Sequence, residues 1–323
     1  MVSPPLKYVL ELCAGAGGQS LGLELAGFEL AAAVEIDKHA CATLRMNRPD
    51  WDVREEDLCE FNAKEFEGVD LVAAGVPCPP FSMAGKQLGA DDERDLFPEA
   101  LRVIRAVKPR AILLENVRGF AAPKFDDYRK KIISRLKRMG YTSEWKVLQA
   151  SDFGVPQLRP RFVLVGFRSD TSGSFEWPLV SEETPTSVGE ALVDLMSEDG
   201  WGGAKTWAKK ADRIAPTLVG GSKKHGGPDL GPTRAKKAWL EIGVDGMGIA
   251  NEPPTKLLPK SHIPRLTVRM AARIQGFSDD WEFSGKKTNA YRQVGNAFPP
   301  PVAEAVGRSI ISVLDGVPAL ASK

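Results

Sequence analysis

Apolar positions in the first half of the chain come in short runs separated by polar stretches of helical spacing. "YVLEL" (8–12) has the length of a strand. It is followed by the glycine-rich "CAGAGG" (13–18) and a helical pattern through Leu21, Leu25 and Ala26. A second run, "ELAAAVEID" (29–37), ends on acids, and helical spacing resumes from His39 to Met46. "VDLVAAGVP" (69–77), "RAILLEN" (110–116) and "RFVLVGF" (161–167) read as further buried strands. Between them, "ALRVIRAVKP" (100–109) predicts a helix that stops before Pro109, and "YRKKIISRLKRMG" (128–140) an amphipathic helix closed by Gly140. Strands alternating with helices in this way predict an open α/β domain.

The texture changes after about Arg168. Residues 181–200 carry six acids and no Lys or Arg, whereas 201–240 carry nine Lys/Arg against two Asp, many glycines, and Trp201, Trp207 and Trp239. Periodicity is poor there, which predicts a loop-rich insert or small second domain. Helical spacing returns at "LTVRMAARIQGF" (266–277) and "PVAEAVGRSIISVL" (301–314). The expected division is a larger domain over 1–172 completed by 282–323, with a smaller one over 173–281.

Bulk properties narrow the class. A chain of 323 residues is long enough for two domains. A net charge of +1 excludes a globally polycationic binder, so any basic surface is local. Four cysteines without metal-ligand spacing and three histidines predict neither a disulfide scaffold nor a metal centre, and favour a reducing compartment. The N-terminal stretch does not read as a secretory signal, and no apolar run approaches the ~20 residues that span a bilayer. The expectation is a soluble, cytoplasmic protein without a membrane partner.

Candidate chemistry gathers at the ends of the predicted strands, where ligands of open α/β sheets bind. Gly15, Gly17 and Gly18 follow the first strand and open a helix, which lets backbone approach a ligand closely; a tight strand-to-helix turn also explains them. Glu35 ends the second strand about twenty residues on, where a ribose-binding carboxylate belongs, and Asp57 is placed to accept from an adenine amino group. The A-G-A-G-G spacing departs from a dinucleotide fingerprint and favours another adenosine-bearing cofactor. Cys78, in "GVPCPPFS", sits at a strand end held by Pro77, Pro79 and Pro80. A free cysteine is commonly just a small buried residue, but this position favours a nucleophile. Glu115 in "LLENV" ends the next strand, as a carboxyl facing the same cleft or as a capping acid. Arg159 and Arg161, two apart before "FVLVGF", are expected to face one anionic site unless they mark a solvated strand entry.

In order, these segments resemble the cytosine-5 DNA methyltransferases. The resemblance lies in "LCAGAGGQSLGLE", "VEID", "EEDL", "GVPCPPFS", "ILLENVRGF", "SDFGVPQLRPRFVLVGFR", "RLTVRMAARIQGF" and "YRQVGNAFPPPV". It covers 7–168 and 265–314. It implies a Rossmann-like, S-adenosylmethionine-dependent methyltransferase sheet with a smaller loop-rich target-recognition domain, and a double-stranded DNA substrate. Gly15, Gly17 and Gly18 would cradle the cofactor, Glu35 hold its ribose, Ile36 lie against the adenine, and Asp57 accept from its amino group. Cys13, Ala16, Leu58 and Pro77 would complete the wall, and Asn296 close it.

The resemblance also implies the reaction. The Cys78 thiolate attacks C6 of a flipped-out cytosine, Glu115 bonds N3 and the exocyclic amine, Arg159 supports the base, and Arg161, Gln157 and Asn116 complete the catalytic set. Ser82, Lys86, Gln87 and Arg94, in the polar segment after Cys78, would meet DNA, as would Lys223, Lys224 and Arg234 in the basic insert. Two letters depart from the common pattern: Cys13 where many members carry an aromatic, and Pro79 where many carry Gln. A tRNA methyltransferase on the same scaffold is the nearest rival, although its Cys-Phe-Thr signature is absent. A catalytically silent DNA-binding relative and a nicotinamide dehydrogenase are weaker ones. A monomer is expected, with a restriction endonuclease acting on the same site as a further partner.

Overall fold

The computed structural model describes residues 5–77, 95–180, 185–220 and 228–316. The chain forms two compact units. The first comprises Met1–Leu148, Pro160–Leu179 and Val302–Lys323; the second comprises Gln149–Arg159 and Val180–Pro301.

The first unit is built on a seven-stranded sheet. Its strands are β1 (Lys7–Leu12), β2 (Phe28–Glu35), β3 (Val53–Glu55), β4 (Leu71–Gly75), β5 (Ala111–Val117), β6 (Tyr141–Gln149) and β7 (Pro160–Arg168), arranged in the order β3-β2-β1-β4-β5-β7-β6. β1, β2, β3, β4 and β5 pair in parallel, and β7 runs antiparallel to β5. The order therefore reverses at β1: the chain moves outward to β2 and β3, then returns to place β4 on the other side. Such a switch point opens a crevice at the carboxyl ends of β1 and β4.

Helices cover both faces. On one, α3 (Phe97–Val107) and α4 (Asp126–Arg138) bury Phe97, Leu101, Ile104, Ile132 and Leu136 against Leu10, Leu12, Val72, Ile112 and Leu114 of the sheet. The other face carries α1 (Gly18–Ala26) and α10 (Pro300–Leu314), which approach closely where Gly307 meets Leu23 and Ala26. α2 (Lys38–Asn47) starts at Asp37, whose carboxylate accepts from His39 N and Ala40 N, an ordinary N-cap.

Two strands were not expected from the pattern. β3 is only three residues long. β6, "YTSEWKVLQ", is the outermost strand and mixes buried and exposed positions without clean alternation. An edge strand need not carry the apolar run that marks a central one.

The second unit is more regular than its sequence suggests. It holds α5 (Val188–Ser197), α6 (Ala204–Lys210), α7 (Thr233–Glu241), α8 (Val268–Gln275) and α9 (Lys287–Asn296). The first three lie where periodicity predicts loops, because they are short and held by specific contacts. α5 begins with a capping box between Ser187 and Glu190. Trp201, Trp207 and Trp239 are buried, and the Trp207 indole donates to the Gly243 carbonyl at 2.8 Å. Arg273 of α8 reaches Asp194 of α5 at 2.6 Å and also pairs with Asp279. The aromatic and charged residues that blurred the pattern are the ones that hold this unit together.

Candidate active site

The turn after β1 takes an unusual backbone path. Cys13, Gly15 and Gly17 all have positive φ, at 54°, 57° and 87°. Glycine adopts this region without strain, but a cysteine does not. Gly17 is the N-cap of α1 and makes no side-chain cap, so the first amides of that helix point into the turn without a capping side chain from that residue. Ala16, Gly17 and Gly18 are buried.

Glu35 closes β2 beside this turn. One carboxylate oxygen accepts from Gly15 N at 2.7 Å, and the other from Ile36 N at 2.9 Å and Asp37 N at 2.8 Å. Burial pushes this carboxyl above its ordinary value, and the three backbone N–H groups oppose the rise. Its lone pairs are not exhausted by three bonds, and an acceptor remains for a hydroxyl. Ile36, next in sequence, is 66% exposed, an apolar face beside a polar anchor. Asp57 is half-buried and accepts from Cys59 N at 2.9 Å, while Leu58 is buried and Pro77 exposed.

At the end of β5 the carboxylate Glu115 meets Arg161 of β7, Nε to Oε1, at 2.9 Å, with both side chains about nine-tenths buried. The antiparallel register produces this pair. Val117 lies opposite Arg161 and Glu115 opposite Val163, so Arg161 and Glu115 are diagonal neighbours on one face. Asn116, fully buried on the opposite face, donates to the Val76 carbonyl at 3.2 Å and accepts from Val117 N at 2.8 Å. It ties β5 to the end of β4 two residues before Cys78.

Arg159, expected to face one anionic site with Arg161, is 1% exposed in the second unit, and its terminal nitrogens donate to carbonyl oxygens. These are Leu218 O at 2.8 Å, Gly295 O at 2.8 Å and Ala297 O at 2.9 Å, with Gln157 Oε1 at 3.4 Å. Gln157, also buried, bonds Leu218 N, Ile274 O and Gln275 Oε1. The Gln-x-Arg pair thus stitches the 218 loop to α8 and to the segment after α9. Asn296, exposed at the end of α9, lies against Gly220 in the same unit.

Arg234 is exposed on α7 without an acidic partner among the described residues, whereas its neighbour Lys236 pairs with Asp229 at 2.7 Å. Cys78, Ser82, Lys86, Gln87, Arg94, Lys223 and Lys224 lie outside the described residues.

The three described cysteines hold their protons. Burial and then the charges of Glu35, Glu11 and Asp57 push the Cys13 thiol far up; burial and Glu35 push Cys41 to about 12; burial and Asp57 raise Cys59. None is poised as a thiolate.

Sequence reasoning passed over two buried polar residues. Glu11, inside "YVLEL", lies fully buried between Ala33 of β2 and Ala73 of β4. Gln19, in the first turn of α1, is buried beside Gly75. An acid within an apolar run was the available signal for Glu11, the same signal that singled out Glu115. Nothing in sequence marked Gln19. Among the described residues no cluster of His, Cys, Asp or Glu could hold a metal ion, and no helix is long and apolar enough to cross a membrane.

Comparison with known proteins adds the chemistry. Residues 8–312 match the family model of the C-5 cytosine-specific DNA methylases. The chain is 57% identical over 311 residues to the Type II methyltransferase M.NaeI of Lentzea aerocolonigenes, covering 95% of this chain and 75% of that protein. It is 54% identical over 308 residues to the Type II methyltransferase M.NgoMIV of Neisseria gonorrhoeae, covering 94% and 97%. Among solved structures, a candidate DNA modification methyltransferase encoded within an E. coli prophage superposes with a TM-score of 0.69 at 26% identity, over 96% of this chain and 99% of that one. The S. pombe Dnmt2 methyltransferase, 20% identical, shares the fold with a TM-score of 0.63, over 96% of this chain and 98% of that one.

Proposed function

The chain belongs to the C-5 cytosine-specific DNA methylases, and from that membership we propose that it methylates C5 of a flipped cytosine in duplex DNA through Cys78, Glu115 and Arg161. The observation that carries this reading is the buried Glu115–Arg161 pair at the end of β5, beside the β4 end that leads into Cys78.

Cytosine C5 is a weak nucleophile. Attack of a thiolate at C6 pushes electrons through the ring toward N3 and makes C5 enamine-like. Cys78 forms that bond; the three other cysteines are held as thiols, which supports the assignment. Glu115 bonds N3 and the exocyclic amine as charge moves there. Arg161 orients Glu115 and would contact the base, the role that the resemblance implied for Arg159. After methyl transfer the C5 proton leaves and the thiol is eliminated, restoring Cys78. Asn116 holds the β4 end, while Gln157 and Arg159 act as positioning residues within the second unit.

The residues around the β1 turn fit S-adenosylmethionine. Glu35 retains an acceptor for a ribose hydroxyl, Ile36 offers an exposed apolar face, and a buried unpaired amide at Gln19 lies alongside. When bound, this cofactor supplies an electrophilic methyl group on a sulfonium. Gly15, Ala16, Gly17, Gly18, Cys13, Asp57, Leu58 and Pro77 would line its site, and the resemblance adds Asn296 to that set.

The second unit would read the target, with Arg234 among its phosphate contacts together with Lys223 and Lys224 of the same basic stretch. The named relatives are Type II methyltransferases, which favours a partner restriction endonuclease acting on the same site; we propose that the enzyme works as a cytoplasmic monomer.

Tritium transfer from labelled S-adenosylmethionine to duplex DNA and to tRNA, for wild type and Cys78→Ala, tests the reading. Labelled DNA only, abolished by the substitution, is expected. Labelled tRNA, or a Cys78→Ala protein that still labels DNA, overturns it.

A further inference from the structure

Gln19, in the first turn of α1, is 3% exposed, and neither its amide nitrogen nor its amide oxygen has a hydrogen-bond partner among the described residues. Buried amides are nearly always paired, so an orphan one beside a binding turn points to a ligand. Its surroundings name the position. A side chain at Gly75 would begin 3.9 Å from Gln19 Oε1, 3.5 Å from the Cys13 carbonyl oxygen and 3.8 Å from Glu115 Oε2. Gly75 ends β4 next to the β1 turn and opposite Glu115 of β5. The amide is therefore at the point where the glycine turn, the β4 end and the reaction carboxylate converge.

The cofactor has two dissimilar ends. Its adenosine belongs at Glu35 and Ile36, at the end of β2. Strands are spaced about 4.8 Å apart, so β4 lies two strands, or roughly 10 Å, from that anchor. A molecule anchored at β2, with its methyl directed toward Glu115 on β5, leaves its amino-acid end to be seated between β1 and β4. That end carries both a carboxylate and an ammonium. A carboxamide suits both, since its N–H donates to the first and its oxygen accepts from the second.

We propose that Gln19 is a binding residue for the charged amino-acid end of S-adenosylmethionine, an inference that rests on the cofactor reading above. Two ligands separate this role from simple packing. S-adenosylhomocysteine has the amino-acid end; 5′-methylthioadenosine has the same adenosine and thioether without it. Calorimetric titration of both into wild type, Gln19→Met and Gln19→Asn is the test, with folding checked by circular dichroism.

Gln19→Met should weaken S-adenosylhomocysteine about tenfold or more, the size of a hydrogen bond to a charged group, and leave 5′-methylthioadenosine within about twofold. Gln19→Asn, whose amide is one methylene short, should show the same selectivity, and it carries the test if the Met variant does not fold. Equal losses for both ligands, or no loss for either, overturn the proposal. A wild type that binds both ligands equally also overturns it while leaving the cofactor reading intact. A wild type that binds neither refutes the cofactor reading itself and this inference with it.

Discussion

Replacing Glu11 by glutamine perturbs the centre of the sheet by a single titratable group. Glu11 is 0% exposed on β1, flanked by Ala33 and Ala73, and neither carboxyl oxygen has a formed hydrogen bond among the described residues. Burial pushes its carboxyl from the ordinary 4.5 up to about 8; the nearby Ser20 hydroxyl pulls it down somewhat, and the charge of Glu35 adds to the rise. Below about pH 4.5 the group is neutral in both the folded and the unfolded chain, and pH has no purchase on it. Between 4.5 and 8 the unfolded chain has released the proton while the folded one keeps it. The unfolded state then binds fewer protons, so stability falls as pH rises. Above 8 both states are ionised and the loss is complete.

At about 1.36 kcal/mol per pH unit the full loss is about 4 to 5 kcal/mol, of which roughly 3 falls between pH 5.5 and 8. Glutamine does not titrate. The gap in stability between Glu11→Gln and wild type should therefore widen by roughly 3 kcal/mol across that range, in favour of the variant. At about 2–4 °C per kcal/mol for a domain of this size, the Tm gap should widen by about 6–12 °C. Thermal melts of both proteins without cofactor, at half-unit pH steps, measure it. Parallel pH profiles would refute the reasoning, because they would mean that the folded protein ionises Glu11 as readily as the unfolded chain does.

Arg161→Met should remove the guanidinium that the buried Glu115 carboxylate pairs with and cost about 3–5 kcal/mol. It should lower Tm and kcat together with little change in S-adenosylhomocysteine affinity, and Glu115→Gln in the same chain should recover much of the Tm but none of the activity. Arg159→Lys should destabilise the second unit by roughly 2–4 kcal/mol, since one ammonium cannot serve three carbonyls and an amide from the positions the guanidinium reaches. Tryptophan fluorescence in urea, where Trp201, Trp207, Trp239 and Trp281 report on that unit, would reveal it. Gly295→Ala should destabilise by about 1–3 kcal/mol through overpacking, because a methyl there meets the backbone of Gly220 and lies 2.9 Å from the Val219 carbonyl carbon. The same urea series would show it as an earlier transition.

Four of the five parallel strands were legible in sequence because a strand buried on both faces must be largely apolar, and the runs at 8–12, 29–37, 69–77 and 110–116 are. The acids that interrupt those runs were legible as well, since burying a carboxyl is costly enough that each demands a reason. That argument found Glu115, as spacing from the glycine turn found Glu35, and applied evenly it would have found Glu11. The pairing of the arginines was not legible. Their spacing by two says that Arg159 and Arg161 leave the chain on one side, yet only the antiparallel register of β7 on β5 brings Arg161 diagonally onto Glu115. Arg159 is instead enclosed by carbonyls of Leu218, Gly295 and Ala297, contacts that span up to 138 residues of sequence. The helices at 188–197, 204–210 and 233–241 were hidden for a related reason: short helices without a long apolar stripe depend on caps and on tryptophans packing from elsewhere. Local pattern determines which residues are apolar, which are punctuated and which acids are out of place. Which polar groups meet, and which of them are left unpaired at Gly75, depends on strand order and register, and those are properties of the folded chain alone.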